Sequence, residues 1–133
     1  MPIVISFDID GTLEVGDPPG IVTMDMVRRA IAHGHIVGSC SDNTVSNQIE
    51  LWEEHQINVA FTILKHNLDD VKERFEAEKY FHLGDTFMDK YFANQSGFEF
   101  IDVTDKSDSI WEPFQPYLSD MDPWWIDPLP DIN

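Results

Sequence analysis

The 133-residue sequence predicts an α/β fold in which a five-stranded parallel sheet lies between two layers of helices. Short apolar runs alternate with polar stretches of about ten residues whose apolar side chains recur at helical spacing. Strands that alternate with helices in this way form parallel sheets covered on both faces. The chain length also fits one domain with a single core. These observations together predict a three-layer, Rossmann-like architecture.

The strand predictions rest on apolar runs that are rich in β-branched and aromatic residues. The first run, IVISF at 3–7, has three β-branched residues among five and is followed by Asp8. A run of this kind is typical of a strand buried on both faces. The predicted strands are 3–7, 35–40, 59–64, 79–84 and 98–103.

The helix predictions rest on apolar spacing and on residues that can cap a helix N-terminus. Thr23 can cap the first helix, Asn43 or Thr44 the second, and Asn67 the third. The predicted helices are 22–33, 44–55, 68–78 and 86–95. The side chains predicted to face inward are Val22, Met26, Val27, Ala30, Ile31, Val45, Ile49, Trp52, Leu68, Val71, Phe75, Met88 and Phe92, with Tyr91 as a further candidate in the fourth helix.

The net charge of −17, from 25 acidic residues against eight lysines and arginines, limits the partners. A surface this negative repels phosphate backbones and anionic lipids, so we expect no nucleic-acid or membrane partner. No apolar run approaches the ~20 residues of a membrane-spanning helix, and the start of the chain lacks a basic leader. A lone cysteine, Cys40, argues against a disulfide framework and a Cys-rich zinc site. Together these features predict a cytoplasmic protein.

The last thirty residues differ from the rest of the chain. They hold five of the eight prolines and three of the four tryptophans. Proline at this density prevents a long helix, and the aromatic content argues against a disordered tail. We therefore predict a core domain at 1–103 and an irregular, acidic extension at 104–133. The extension would pack either on its own core or on a partner chain, where it could form a homo-oligomer.

Polar side chains follow four of the five predicted strands. They lie at Asp8–Thr12, Ser39–Asn43, Lys65–His66 and Gly84–Asp89. Because the carboxyl ends of parallel strands meet at one edge of a sheet, we expect these side chains to converge there. Carboxylates crowded together repel one another, so a cation is their natural neutraliser. Oxygen ligands without cysteine or paired histidine favour Mg²⁺ over zinc.

Such a site has the groups that phosphoryl transfer requires. Asp8 would act as a carboxylate nucleophile that forms an aspartyl-phosphate. Asp10 could protonate the leaving oxygen and later activate water. Lys65 and Ser41 could hold the remaining phosphate oxygens. Phosphoryl transfer depends mainly on positioning and charge neutralisation, and this set of residues supplies both.

The motifs resemble those of the haloacid dehalogenase-like (HAD) superfamily of Mg²⁺-dependent phosphatases and phosphotransferases. The DxDGT motif of that family matches Asp8–Thr12, and its GDxxxD motif matches Gly84–Asp89. The serine or threonine of its second motif is best matched by Ser41, with Ser39 as the alternative, and its lysine by Lys65. The resemblance covers about residues 1–103, and loop 11–20 looks like the short flap of the family.

The resemblance implies a role for each matching residue. Asp8 would be the nucleophile and Asp10 the general acid/base. Mg²⁺ would be held by the Asp8 carboxylate, the Asp10 backbone carbonyl and Asp85. Asp89 would orient Lys65 or a metal-bound water, and Ser41 and Lys65 would bind the transferring phosphoryl group. The predicted catalytic residues are thus Asp8, Asp10, Ser41 and Lys65, and the predicted metal-site residues are Asp8, Asp10, Asp85 and Asp89.

The motif spacing leaves no room for an inserted cap domain. Asp10 and Ser41 are 31 positions apart, and Ser41 and Asp85 are 44 apart, and the predicted strands and helices fill both intervals. The chain therefore resembles the capless members of the family. The predicted function is that of a Mg²⁺-dependent phosphatase acting on phosphorylated small molecules. The alternatives are a non-catalytic interaction module with the same fold and a phosphotransferase on the same scaffold.

Overall fold

The computed structural model describes residues 2–126, in which five strands alternate with helices. The strands are β1 (Val4–Phe7), β2 (Ile36–Ser41), β3 (Phe61–Leu64), β4 (Tyr80–Gly84) and β5 (Glu99–Asp102). The α-helices are α1 (Met24–Ala32), α2 (Val45–Glu54), α3 (Asp69–Arg74) and α4 (Phe87–Ser96). Two 3₁₀ segments, Lys65–Asn67 and Asp108–Tyr117, complete the regular structure of these residues.

The strands form one parallel sheet in the order β3-β2-β1-β4-β5. This confirms the predicted fold class. The strand β1 lies at the centre, with Phe7 in register with Ser39 of β2 and Leu83 of β4. The residues that follow these three strands are therefore adjacent. The chain leaves β1 toward β2 on one side and later returns to β4 on the other, and such a reversal is where open α/β sheets bind ligands.

Alternating side chains of the sheet contribute to two separate apolar clusters. Ile5 and Phe7 of β1 pack with residues of α1 and α2, whereas Val4 packs with residues of α3 and α4. We call these sides the α1/α2 face and the α3/α4 face. Because side chains of a strand alternate between faces, Ser6 belongs to the same face as Val4.

No helix within residues 2–126 has the length and hydrophobicity to cross a membrane.

Two of the three predicted helix caps are confirmed, and the cap of α4 is Thr86, which was predicted as the first residue of that helix. Thr23, Thr44 and Thr86 cap α1, α2 and α4 by accepting a hydrogen bond from the backbone of the first turn. The prediction of a third helix at 68–78 with Asn67 as its cap is wrong in its bounds. Asn67 instead lies in the preceding 3₁₀ turn, and α3 ends at Arg74 because the chain becomes extended at Phe75.

The inner faces of α2 and α4 also differ from the prediction. Val45 and Ile49 are exposed, and α2 instead buries Gln48 with Trp52. Met88 and Tyr91 are likewise exposed, because α4 turns Asp89 toward the sheet. In both helices a polar residue with buried hydrogen-bond partners occupies a position that the periodicity of apolar residues does not identify.

The C-terminal segment packs on the α1/α2 face beside the helices. Its 3₁₀ segment buries Ile110 and Phe114, and Trp124 farther along has no exposed surface. The ring of Phe114 lies 4.4 Å from that of Phe81 in β4, and the ring of Trp124 lies 6.3 Å from that of Phe7 in β1, both between centroids. The described part of the predicted extension therefore covers the centre of the sheet. Residues 127–133 of that extension lie outside the described residues.

Candidate active site at the carboxyl end of the sheet

Three predicted metal-site residues meet where β1 and β4 end. Asp8, Asp85 and Asp89 each offer a carboxylate oxygen, and these oxygens lie within 4.8 Å of one another. Asp8 is 3% exposed and Asp89 is completely buried. Among residues 2–126, this acidic cluster does not include the carboxylate of Asp10, the fourth predicted metal-site residue.

The Asp8 carboxylate lies in an environment that disfavours its charge. Burial and then the negative charge of Asp89 raise the pKa of Asp8 to about 8. The positive charge of Lys65 and a hydrogen bond of 2.8 Å from the Ile9 backbone N–H to Asp8 Oδ1 oppose this increase only in part. A cation bound at this point would therefore favour the ionised carboxylate, which is the form that can act as a nucleophile.

Among the described residues, Lys65 supplies the one side-chain ammonium that contacts this cluster. It begins the 3₁₀ turn after β3 and is 5% exposed. Its Nζ atom lies 3.4 Å from Asp8 Oδ2, 3.2 Å from Asp89 Oδ1 and 3.5 Å from Asp42 Oδ2. Burial lowers the pKa of Lys65, but the three carboxylates outweigh that effect and raise it overall. Lys65 is thus cationic at neutral pH.

The Asp89 carboxylate is engaged by five donors. His82 Nε2 lies 2.8 Å and Lys65 Nζ 3.2 Å from Oδ1. The Thr86 hydroxyl, the Thr86 N–H and the Asp85 N–H donate to Oδ2 over 2.8, 3.1 and 3.3 Å. Burial raises the pKa of Asp89, but the hydrogen bond from His82 and the charge of Lys65 lower it overall. Because a carboxylate has about four lone-pair sites, this arrangement favours the orienting role for Asp89.

Asp85, in contrast, has an oxygen without a partner. Its Oδ1 atom is buried and has no hydrogen bond to any described residue. Gly11 closes over the same carboxylate with a φ of +75°, and a Cβ at Gly11 would lie 1.9 Å from Asp85 Oδ2. A buried, unpartnered carboxylate oxygen next to Asp8 fits a hard cation that takes oxygen ligands. Asp8 and Asp85 are therefore the residues that could hold Mg²⁺.

Asp10 and Ser41 lie in a second polar group next to the acidic cluster. Asp10 accepts hydrogen bonds from the Asp17 N–H, at 2.9 Å, and from Asn43 Nδ2, at 3.2 Å. Asn43 Nδ2 and the Asn43 N–H also donate to Ser41 Oγ, each over 3.1 Å. Both contacts use the Ser41 oxygen as an acceptor, so neither uses its hydroxyl proton. Asn43 thus links the predicted acid/base to the predicted phosphate-binding hydroxyl.

The environment of Ser39, the alternative phosphate-binding hydroxyl, differs. Its hydroxyl is buried and lies 2.7 Å from Gln48 Oε1, to which it donates. It also accepts a hydrogen bond of 3.0 Å from Trp52 Nε1. These bonds hold Ser39 against α2, which favours Ser41 as the hydroxyl at the strand end.

Sequence reasoning missed three contributors to this region. Asn43 and Thr86 were included among the polar strand-end residues but were given no role in the site, and His82 was not assigned to it. His82 is 1% exposed within β4. The signal that could have identified it is a polar residue inside a strand predicted to be buried, since buried polar groups need hydrogen-bond partners.

Comparisons with protein-family models, with curated proteins and with solved structures found no match for this chain. The functional interpretation therefore depends on the residues and their geometry.

Proposed function

We propose that the protein is a Mg²⁺-dependent phosphatase of the HAD type that hydrolyses phosphomonoesters through an aspartyl-phosphate on Asp8. The observation that supports this most strongly is the meeting of Asp8, Asp85 and Lys65. Two carboxylates lie within 4.8 Å of each other, and an ammonium lies 3.4 Å from the proposed nucleophile. This combination supplies a nucleophile, a metal ligand and a cation for phosphoryl oxygens.

Asp8 performs the covalent step in this proposal. The Ile9 N–H holds Asp8 Oδ1, which leaves Oδ2 to attack phosphorus. A bond forms between Oδ2 and phosphorus, and the bond from phosphorus to the ester oxygen breaks. The bound Mg²⁺ would neutralise the carboxylates and the phosphoryl charge. Lys65 holds a phosphoryl oxygen from its position between Asp8 and Asp89, where it stabilises the negative charge during transfer.

Asp10 moves the protons in both halves of the reaction. It donates a proton to the departing ester oxygen and then accepts one from the water that attacks the aspartyl-phosphate. Hydrolysis releases inorganic phosphate and restores the Asp8 carboxylate. The hydrogen bonds from Asn43 and from the Asp17 N–H hold Asp10 where the flap, residues 11–20, meets β2. The Ser41 hydroxyl, oriented by the same Asn43, donates to a phosphoryl oxygen.

Release of phosphate from p-nitrophenyl phosphate tests the proposal. We expect turnover with Mg²⁺, its loss in EDTA, and its loss in Asp8→Asn. The matched control is Asp102→Asn, because Asp102 is an exposed carboxylate at the end of β5 whose partner is Thr104. That control should retain activity.

Undiminished activity in Asp8→Asn would refute the nucleophile assignment. Absence of hydrolysis across a broad panel of phosphate esters would instead favour a non-catalytic module. Transfer of the phosphoryl group to an added alcohol in preference to water would favour a phosphotransferase.

A further inference from the structure

A chain of four buried polar side chains connects the middle of the sheet to Lys65. Ser6 Oγ lies 2.9 Å from His82 Nδ1, and His82 Nε2 lies 2.8 Å from Asp89 Oδ1. The same Asp89 oxygen lies 3.2 Å from Lys65 Nζ. Ser6, His82, Asp89 and Lys65 are 0%, 1%, 0% and 5% exposed. Water therefore has little access to any of these contacts.

The hydrogen-bond directions in this chain follow from the chemistry of the groups. An ionised Asp89 can only accept, so His82 Nε2 carries a hydrogen and donates it. In the neutral ring Nδ1 then accepts from the Ser6 hydroxyl. Ser6 and His82 are register partners across β1 and β4, so the two strands fix the distance between them. Ser6 thereby sets the orientation of the His82 ring.

The two oxygens of Asp89 have different partners. Thr86 and the Asp85 N–H engage Oδ2, which is sufficient to cap α4. His82 engages Oδ1, the oxygen that faces Lys65. Gly84 allows this approach, since a Cβ there would lie 2.3 Å from Asp89 Cγ. A role in helix capping alone does not account for His82, because the cap uses the other oxygen.

We propose that His82 is a positioning residue that holds the Lys65 ammonium beside Asp8 by fixing Asp89 Oδ1. The inference rests on the proposed function for the role of Lys65, but the geometry it invokes can be measured without turnover. Partners that orient the groups of an active site in this way commonly affect activity by about 10–100-fold.

The test compares three variants. His82→Leu removes the donor, His82→Gln retains an amide donor near the position of Nε2, and Ser6→Ala removes the partner of Nδ1. With p-nitrophenyl phosphate and Mg²⁺, we expect His82→Leu to lower kcat by about 10–100-fold with KM within about twofold of the parent value. His82→Gln should recover most of kcat, and Ser6→Ala should lie between the two.

A spectroscopic measurement follows Lys65 directly. The ¹H–¹⁵N resonance of a buried ammonium is protected from exchange with water, and Lys65→Met identifies the signal by its loss. We expect the Lys65 resonance to be present in the parent protein and in His82→Gln. It should be shifted or broadened in Ser6→Ala and lost in His82→Leu.

The control for a loss of stability alone is Tyr80→Phe. It removes the hydrogen bond from the Tyr80 hydroxyl to the Phe75 carbonyl at the start of β4, away from the strand ends that carry the site, and should lower Tm while leaving kcat and the Lys65 resonance unchanged. Parent-like kcat and Lys65 resonance in His82→Leu would overturn the proposal. If His82→Leu does not fold, an unchanged Lys65 resonance in Ser6→Ala would overturn it. A parent protein without turnover would refute the proposed function, and the Lys65 resonance would still decide the role of His82.

Discussion

The carboxyl end of the sheet and the C-terminal segment are both buried, but their contributions to stability have opposite signs. At the sheet end, burial and the neighbouring Asp89 raise the pKa of Asp8, so the ionised carboxylate destabilises the fold. In the C-terminal segment, Phe114 and Trp124 make an edge-on ring contact with centroids 5.1 Å apart. Aromatic contacts of this kind add to the free energy gained by burying apolar area. Packing of the C-terminal segment therefore offsets part of the free-energy cost of the charged cluster.

The segment is also joined to the rest of the fold by polar contacts. The Arg29 guanidinium of α1 donates from Nε to the backbone carbonyl of Trp124 over 2.9 Å. The Trp111 ring stacks nearly parallel to that of Trp125, with an angle of 9° between the planes. Phe81 and Phe7, which this segment covers, belong to the same strands that carry the candidate site at their ends. Packing in the segment therefore supports the strands that position the reactive groups.

The largest expected effect on the free energy of unfolding comes from removing the Asp8 charge. The pKa of Asp8 is about 8 in the folded protein against 3.8 for the free group, so the folded state binds this proton more tightly. The stabilisation that this tighter proton binding gives the fold is fully present below about pH 4 and is lost as the pH rises to about 8. Asp8→Asn should not undergo this loss. Its free energy of unfolding at pH 8.5 should exceed that of the parent by an amount of order 5 kcal/mol, at about 1.4 kcal/mol per pKa unit.

Denaturant unfolding in EDTA at pH 5 and pH 8.5 measures this difference. Asp102→Asn is again the matched control, and its free energy of unfolding should differ from that of the parent by a similar amount at both pH values. An equal difference between Asp8→Asn and the parent at both pH values would contradict the account of the Asp8 environment.

The second prediction removes packing from the C-terminal segment. Trp124→Ala should lower the free energy of unfolding by about 3–5 kcal/mol, because it leaves a large cavity in the core. Turnover per folded molecule should stay the same, since the ring contacts Phe7 and not the charged cluster. Urea unfolding and activity below the transition provide the two measurements. Met121→Ala, at a residue that is 47% exposed, should change stability by no more than about 0.5 kcal/mol. Loss of turnover in folded Trp124→Ala would show that the two regions are not separable.

The smallest effect is expected at the edge of the charged cluster. The Asp42 side chain is 84% exposed and lies 3.5 Å from Lys65, so Asp42→Asn should change stability by less than about 1 kcal/mol. Its carboxylate repels a negatively charged leaving group, so the variant should raise kcat/KM a few-fold for anionic esters relative to cationic ones. Steady-state rates at low and high salt measure this preference, which added salt should weaken. An unchanged ratio would exclude Asp42 from substrate discrimination.

The sequence predicted the parts of the site that depend on local order. Asp8, Lys65 and Asp85 follow strands, and the parallel sheet brings strand ends to one edge, so their proximity followed from the alternation of strands and helices. The same local signals identified Thr23 and Thr44 as candidate helix caps. They did not identify the inner faces of α2 and α4, because Gln48 and Asp89 are buried by hydrogen bonds to polar groups of the adjoining strands and not by hydrophobicity.

The alternation of strands and helices, two of the helix caps and the motif residues were therefore accessible from the amino-acid sequence, because each depends on neighbours within a few positions. The tertiary structure alone decided which polar groups share a buried environment. Ser6 and His82 are 76 positions apart, and Arg29 and the Trp124 carbonyl are 95 apart, yet each pair is in hydrogen-bond contact. A hydrogen bond between such distant residues has no periodic signature in the sequence. It arises only when the completed fold brings the two groups into contact.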